Sequence, residues 1–214
     1  MFYLSSRKSI VQVHKLLYAK GYGVGNDGNT SIRVSAQEML ITPTGFDKSK
    51  LKPFDISIVC LKTGKHLKGP KPSSEYQLHL ATYQHNPKVK AIVHSHPPYS
   101  IACSLSGISL EEPILPEVII ALGKVPTCSY TTPGTHAIAQ QAALALKENQ
   151  CIILERHGVV SASKSTIDNA YTQLERVEHS AKILWLSHAI APPSLIQNPE
   201  LESLINIRKE IQNG

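Results

Sequence analysis

Apolar residues recur at helical spacing along much of the chain. Ile10, Val13, Leu16, Leu17 and Ala19 predict a helix over 5–20 that Gly21 ends, and Leu78, Ala81 and Tyr83 predict another that stops before Asn86-Pro87. Ser74 with Gln77 reads as a capping box for that second helix, and Glu75 in its first turn suits the helix dipole. Ile138, Ala142, Leu144 and Leu146 place a third helix over 135–148. Ala170, Leu174, Val177, Ala181, Leu184 and Trp185 form the buried stripe of a long helix from about Ser165 to His188, which Pro192-Pro193 breaks. Glu175, Arg176 and Glu178 read as its solvated side. Segments 98–106 and 199–212 add two further helical stretches, and Glu117 stands ahead of a shorter apolar run ending at Gly123.

Between the helices lie short β-branched runs bounded by turn residues. Met39 to Thr42 runs into Pro43-Thr44-Gly45. Residues 56–61 enter a hairpin at Lys62-Thr63-Gly64-Lys65, and further strands are expected at Ala91 to His96, Val125 to Tyr130 and 151–155. Helices and strands mix without strict alternation, so the expected fold is one layered α/β domain over 1–214 with a largely antiparallel sheet.

The run Ala91-Ile92-Val93-His94-Ser95-His96 ends in two histidines one residue apart, and on a strand such side chains share a face. His157 ends a second apolar run, Cys151 to Leu154, and is followed by Gly158, where backbone can come close to a ligand. Taken singly, each histidine reads as a satisfied, partly buried residue. Taken together, His94, His96 and His157 are the three nitrogen donors that leave a catalytic zinc its open position. The loop that starts at Gly21, rich in glycine and asparagine and leading into a strand by Arg33, can turn backbone N–H groups toward an anion, but it lacks P-loop and dinucleotide spacing. The start of the helix after Pro72-Ser73-Ser74-Glu75 offers free N–H groups and hydroxyls of the kind that bind phosphate.

Composition narrows the function classes. A net charge of +6 suits an anionic partner, yet there is no Lys/Arg block or aromatic-interleaved basic stripe for nucleic acid, and small phosphorylated substrates satisfy the same electrostatics. Cys60, Cys103, Cys128 and Cys151 lie far apart in apolar segments, as reduced core residues do, which points to the cytosol. Residues 1–22 contain no continuous apolar stretch for a signal peptide or membrane span.

Six motifs in order then carry a resemblance: Gly28-Asn29-Thr30-Ser31-Ile32-Arg33, Ile41-Thr42-Pro43-Thr44-Gly45, Pro72-Ser73-Ser74-Glu75, Val93-His94-Ser95-His96, Tyr130-Thr131-Thr132-Pro133-Gly134 and Arg156-His157-Gly158. In order and spacing they resemble the class II aldolase/adducin family over about residues 5–190, leaving 192–214 as a C-terminal segment. The resemblance implies an α/β/α sandwich, a divalent zinc, and a fourfold-symmetric homotetramer with active sites between subunits. It assigns zinc to His94, His96 and His157, and to Glu75 a place as ligand at rest and base once substrate displaces it. It assigns phosphate to Asn29, Thr44, Gly45, Ser73 and Ser74, with Asn26 beside them. The implied reaction is reversible cleavage of a ketose 1-phosphate to dihydroxyacetone phosphate and an aldehyde. This chain departs from the family's aldolases in two places. Glu117 stands where they carry an aromatic hydroxyl that protonates the aldehyde side, which makes Glu117 the expected acid with its pKa raised by burial. Residues 192–214 also lack the second tyrosine those enzymes carry. A sugar-phosphate 4-epimerase, a methylthioribulose-1-phosphate dehydratase and a non-catalytic adducin-like protein are the competing readings. Glu75 counts against the epimerase, the Pro-Ser-Ser-Glu pattern against the dehydratase, and the three histidines against a non-catalytic protein.

Overall fold

The strands pair into one sheet because nearly every strand side chain finds a helix on one face or the other. Along the strands, successive residues alternate between two apolar clusters. Leu40, Ile58, Ala91, Val93, Cys151, Ile153 and Val159 face one, and Met39, Ile41, Val59, Ile92, Ile152, Leu154 and Val160 face the other. A sheet covered on both faces explains why its strands read as continuous apolar runs rather than as alternating ones. The computed structural model describes residues 2–213. Its strands are β1 (Asn29–Arg33), β2 (Glu38–Ile41), β3 (Ser57–Cys60), β4 (His66–Lys68), β5 (Ala91–Ser95), β6 (Thr127–Cys128), β7 (Cys151–Leu154) and β8 (Gly158–Ser163). They form an eight-stranded sheet in the order β4-β3-β2-β1-β5-β8-β7-β6. Every pairing is antiparallel except β6 with β7.

The helices are α1 (Leu4–Ala19), α2 (Tyr76–His85), α3 (Pro98–Leu105), α4 (Pro116–Ala121), α5 (His136–Glu148), α6 (Ile167–Ile190) and α7 (Glu200–Asn213). Ile10, Val13 and Leu17 of α1, Cys103 of α3 and Leu174, Val177 and Leu184 of α6 cover one face of the sheet. Leu78 and Ala81 of α2 and Ile138, Ala142 and Leu146 of α5 cover the other. The result is the α/β/α arrangement with a mostly antiparallel sheet that the motifs implied. No helix is long and apolar enough to cross a membrane among the described residues.

Three local expectations are corrected, and one strand was not expected. Residues 158–163 form β8, a fully buried strand between β5 and β7, although Gly158-Val159-Val160-Ser161-Ala162-Ser163 carries small and polar residues that weaken a strand signal. Only Thr127 and Cys128 of the stretch Val125 to Tyr130 pair as a strand. The Ser74–Gln77 capping box does not form: α2 starts one residue later with Glu75 at its N-cap, and Ser73 Oγ accepts from the Glu75 N–H at 3.2 Å. Glu178, expected on a solvated face, is 3 % exposed. It accepts from the N–H groups of Tyr99 and Ser100 at 2.9 and 2.8 Å and from Ser100 Oγ at 2.7 Å, supplying the cap that α3 lacks from its own sequence.

Two buried groups beside the sheet have stability consequences. Replacing Glu178 with Ala strands three donors at the start of α3, two of them backbone N–H groups, and should lower the unfolding free energy by about 3 kcal/mol in urea titration, with Gln losing about half as much. His14 is buried on α1 with its Nε2 unpartnered, and burial, aided by the charge of Lys48, pulls its pKa down to about 3. The unfolded chain therefore takes up this proton near pH 6.5 and the folded chain does not, so the contribution is full above pH 6.5 and is lost as the pH falls toward 3. His14→Leu should flatten the acid limb of the stability curve by about 1.4 kcal/mol per pH unit between pH 6 and 4, read from denaturant midpoints.

Candidate metal centre

The centre of the sheet assembles the site by register. β1 and β5 pair with Asn29 opposite His94, and β5 and β8 pair with His94 opposite Val160. His96 follows one residue past the end of β5, and His157 closes the tight turn between β7 and β8. Gly158 makes the close packing possible, for a reason other than ligand approach. A Cβ there would press on the Ser95 carbonyl and lie 2.8 Å from His96 Cδ2 and 3.2 Å from His94 Cε1. Arg156, just before the histidine, holds φ at +60°, the left-handed conformation that side chains other than glycine adopt at a cost of about 1 kcal/mol.

The three imidazoles converge. Their ring centroids are 4.8 to 5.0 Å apart, and one nitrogen from each lies within 4.8 Å of the others. Glu75 reaches the same point from the start of α2. Its Oε2 is 3.4 Å from His94 Nε2 and its Oε1 is 3.4 Å from His157 Nε2.

The hydrogen bonding turns acceptor atoms of several side chains toward this point. His94 Nδ1 lies 2.9 Å from the Val159 carbonyl, an acceptor only, so this nitrogen carries the proton and a neutral His94 turns a bare Nε2 inward. His96 Nε2 stands 3.2 Å from it, with His96 Nδ1 directed at Asp27 Oδ2 3.6 Å away. Glu75 Oε1 is buried with no donor. Lone pairs on nitrogen and oxygen thus meet at 3.2 to 3.4 Å, which is close to the edge of about 3.3 Å expected of a tetrahedron with bonds of about 2.0 to 2.1 Å to zinc. The donor set fits a divalent cation.

The electrostatics make His94 and Glu75 the charged pair of the cluster, with the proton on His94 standing where a cation would. Burial works against the Glu75 carboxylate, but His94 and His157 outweigh it and hold its pKa well below the ordinary carboxylate range. For His94, burial opposes the charge and Glu75 overrides it, so the pKa rises. His96 and His157 are pushed down to about 4 by burial and then by His94, which keeps both rings neutral and able to donate a lone pair at neutral pH.

The expected phosphate residues lie on two neighbouring turns and on the stretch leading into β1. Pro43 and Pro72 form an isolated antiparallel bridge, with the Ser73 N–H on the Thr42 carbonyl at 3.0 Å and the Thr44 N–H on the Lys71 carbonyl at 3.0 Å, so the turns carrying Thr44-Gly45 and Ser73-Ser74 lie side by side. Gly45 holds φ at +72° and has nothing near its missing side chain. Beneath them, the buried Lys48 ammonium donates to the Pro43 carbonyl at 2.5 Å while its backbone N–H bonds the Gly25 carbonyl at 2.9 Å, tying the two loops together. Asn26 and Ser74 are exposed. Asn29 differs from the expectation. It is 2 % exposed, with Nδ2 on Glu75 Oε2 at 2.8 Å and Oδ1 on His79 at 2.5 Å, so a single amide hydrogen is left for a substrate oxygen.

Glu117 is not brought to this cluster within the chain. It lies exposed on α4, and the burial on which its expected acid role rested is absent in the protomer. Asp27 and His79 went unnoticed in the sequence. Asp27 sits in an otherwise unremarkable turn, while His79 falls four residues after Glu75 and could have been found from that spacing alone.

Known proteins bear on the assignment. Residues 8–185 match the model of the Class II Aldolase and Adducin N-terminal domain. The chain is 34 % identical over 186 residues to the 3-oxo-tetronate 4-phosphate decarboxylase of Escherichia coli strain K12, covering 85 % of this chain and 87 % of that one. It is 34 % identical over 182 residues to the L-fuculose phosphate aldolase of the same strain, covering 84 % and 82 %. The crystal structure of YgbL from Escherichia coli superposes with a TM-score of 0.87 at 32 % identity, covering 94 % of this chain and 98 % of the other. With the histidine cluster and Glu75 at the heart of the shared fold, the chain belongs to the class II aldolase/adducin family.

Proposed function

We propose that this protein is a zinc-dependent carbon–carbon lyase that cleaves a ketose 1-phosphate to dihydroxyacetone phosphate and an aldehyde. The observation that carries the reading is Glu75: an ionised carboxylate with one oxygen held by Asn29 and the other undonated, 3.4 Å from His157 Nε2. His94, His96 and His157 would hold the cation, which when bound supplies Lewis acidity toward a ketone oxygen as negative charge develops there. Thr44, Gly45, Ser73 and Ser74, with Asn26 at the rim, anchor the phosphate and fix the distance from it to the reacting carbons. Glu75 is the base that removes a proton from the carbon next to the ketone in the condensation direction; in cleavage it takes up a proton from solvent and delivers it to that carbon.

Aldol cleavage also needs a group that takes the hydroxyl proton from the departing aldehyde carbon. We assign this to Glu117 acting in trans. Exposed on α4 and apart from its own cluster, it serves the site of a neighbouring protomer in the homotetramer that the family resemblance implies.

One observation favours a second reading, loss of carbon dioxide from a phosphorylated 3-oxo sugar acid. The decarboxylase of Escherichia coli is as similar to this chain as the aldolase is, and decarboxylation needs no proton acceptor on the departing fragment. Both reactions leave the same three-carbon phosphate, so the pocket chemistry argued above serves either.

The protein purified with zinc should release dihydroxyacetone phosphate from a panel of ketose 1-phosphates in a coupled reductase assay. Carbon dioxide from a 3-oxo sugar acid phosphate, without aldehyde formation from any ketose, would transfer the assignment to the second reading, and no release from any substrate sinks both. Glu75→Gln should lower kcat by about 100- to 10,000-fold while the fold survives by circular dichroism. His94→Ala should lose stoichiometric metal in elemental analysis together with nearly all activity. Glu117→Gln should slow aldol cleavage by about 100-fold or more, measured as aldehyde release at saturating substrate; wild-type turnover would remove Glu117 from the reaction.

A further inference from the structure

Behind Glu75, helix and strand side chains interleave like the teeth of a zip. Glu75, His79 and Tyr83 follow at intervals of four along α2 and its first turn, so they share one face of the helix. Asn29 and Ser31 follow at an interval of two on β1, paired with His94 and Ile92, and so face α2. Asn29 fits between Glu75 and His79, and Ser31 between His79 and Tyr83. The contacts are Glu75 Oε2 to Asn29 Nδ2 at 2.8 Å, Asn29 Oδ1 to His79 Nε2 at 2.5 Å, His79 Nδ1 to Ser31 Oγ at 2.7 Å and Ser31 Oγ to the Tyr83 hydroxyl at 2.9 Å. Asn29, Ser31, His79 and Tyr83 are each at most 2 % exposed, which shields the four links from bulk water.

The direction of every bond in this chain is determined by its ends. An ionised carboxylate only accepts, so Asn29 must turn its NH2 to Glu75 and its carbonyl to His79. That carbonyl also only accepts, so the proton of His79 must sit on Nε2. Burial holds the ring neutral, drawing its pKa down to about 3, which leaves Nδ1 bare to accept from Ser31, whose oxygen in turn accepts from Tyr83. Arg33 secures the far end: its guanidinium lies 4.8 Å from the centroid of the Tyr83 ring and donates to the Tyr83 carbonyl at 2.6 Å.

We propose that His79 is a positioning residue: held as its Nε2–H tautomer, it locks the Asn29 amide with the NH2 toward Glu75 and so sets the orientation in which Glu75 meets the cation and the substrate. If His79 merely filled the core, Glu75 would not sense its replacement. The inference deepens the lyase reading above, because the group it orients is the base of that reaction, but the tautomer and the metal geometry are readable with no substrate present.

The first test uses metal-free, 15N-labelled protein, with the His79 signals assigned by their loss in His79→Gln. Long-range 15N–1H correlation should show Nε2 protonated and Nδ1 bare; the opposite tautomer overturns the proposal. The second test compares His79→Gln, whose amide can still donate to Asn29 and accept from Ser31, with His79→Leu, which can do neither. With Co2+ as the probe ion, the Leu variant should bind about 10- to 100-fold more weakly and show shifted visible absorption bands, while the Gln variant stays within about threefold of wild type with an unshifted spectrum. On a substrate that wild type cleaves, the Leu variant should lose about 10- to 100-fold in kcat with little change in KM, and Gln should restore most of it. Equal Co2+ affinity and spectra in wild type and the Leu variant overturn the proposal. So does a Gln variant that melts like wild type but has lost Co2+ affinity as far as Leu. Should the Leu variant fail to fold, the tautomer and the Gln variant decide alone. A wild-type protein that binds Co2+ and turns over no substrate refutes the lyase reading, and the tautomer and cobalt measurements still decide this one.

Discussion

A buried carboxylate facing imidazole nitrogens whose lone pairs point at one another is an arrangement that protein groups alone leave unresolved, and the rest of the molecule is built around it. Glu75 reaches His94 and His157 at 3.4 Å, and His94 reaches His96 at 3.2 Å. In neutral form these contacts repel. A positive charge at their centre turns each of them attractive, in surroundings of low polarity where the gain is several times larger than in water. The fold spends much of its order on holding this unfavourable arrangement in place.

That order comes from the middle of the sheet. The register of β1 and β5 sets Asn29 beside His94, and the register of β5 and β8 lets the Val159 carbonyl fix the proton of His94. Gly158 permits the approach, since any side chain there would displace the rings it separates. On the helical side, Glu178 on α6 caps α3, the helix that begins two residues after His96, and thereby anchors the backbone leaving the site. Groups far apart in the chain therefore act on the same few atoms, and a cavity or unpaired donor introduced at any of them would be felt at the metal position.

The mouth of the site follows a different logic. The centre is largely buried, whereas the turns at Thr44-Gly45 and Ser73-Ser74 are joined by one bridge and expose Gly45 and Ser74 to solvent, with Lys48 fastening the first of them to the Gly25 loop. On the proposed reading, a cation pocket next to a turn-built anion cradle would suit a substrate with a phosphate at one end and a reacting ketone at the other. Such a division would let one centre serve different departing fragments, in keeping with the likeness of this chain to both an aldolase and a decarboxylase.

Local chemistry determined a good deal by itself. Helical spacing located α1, α5 and α6 to within a few residues, because an apolar stripe records which face is buried whatever lies against it. The histidine pair with His157 was legible because metal chemistry admits few residue types. Tertiary structure alone decided the remainder. β8 is a strand through pairing on both sides, despite serines and small residues that make a poor strand locally. Glu178 is buried because α3 needs a cap that its own residues do not provide, and Glu117 is exposed on α4, which packs on α6 and α7. His79 gains its place from Asn29 and Ser31, some fifty residues earlier, through hydrogen bonds whose direction no local pattern records. Residue type and spacing report what a side chain can donate or bury; which partner it meets is set by sheet register and helix packing, properties of the whole chain.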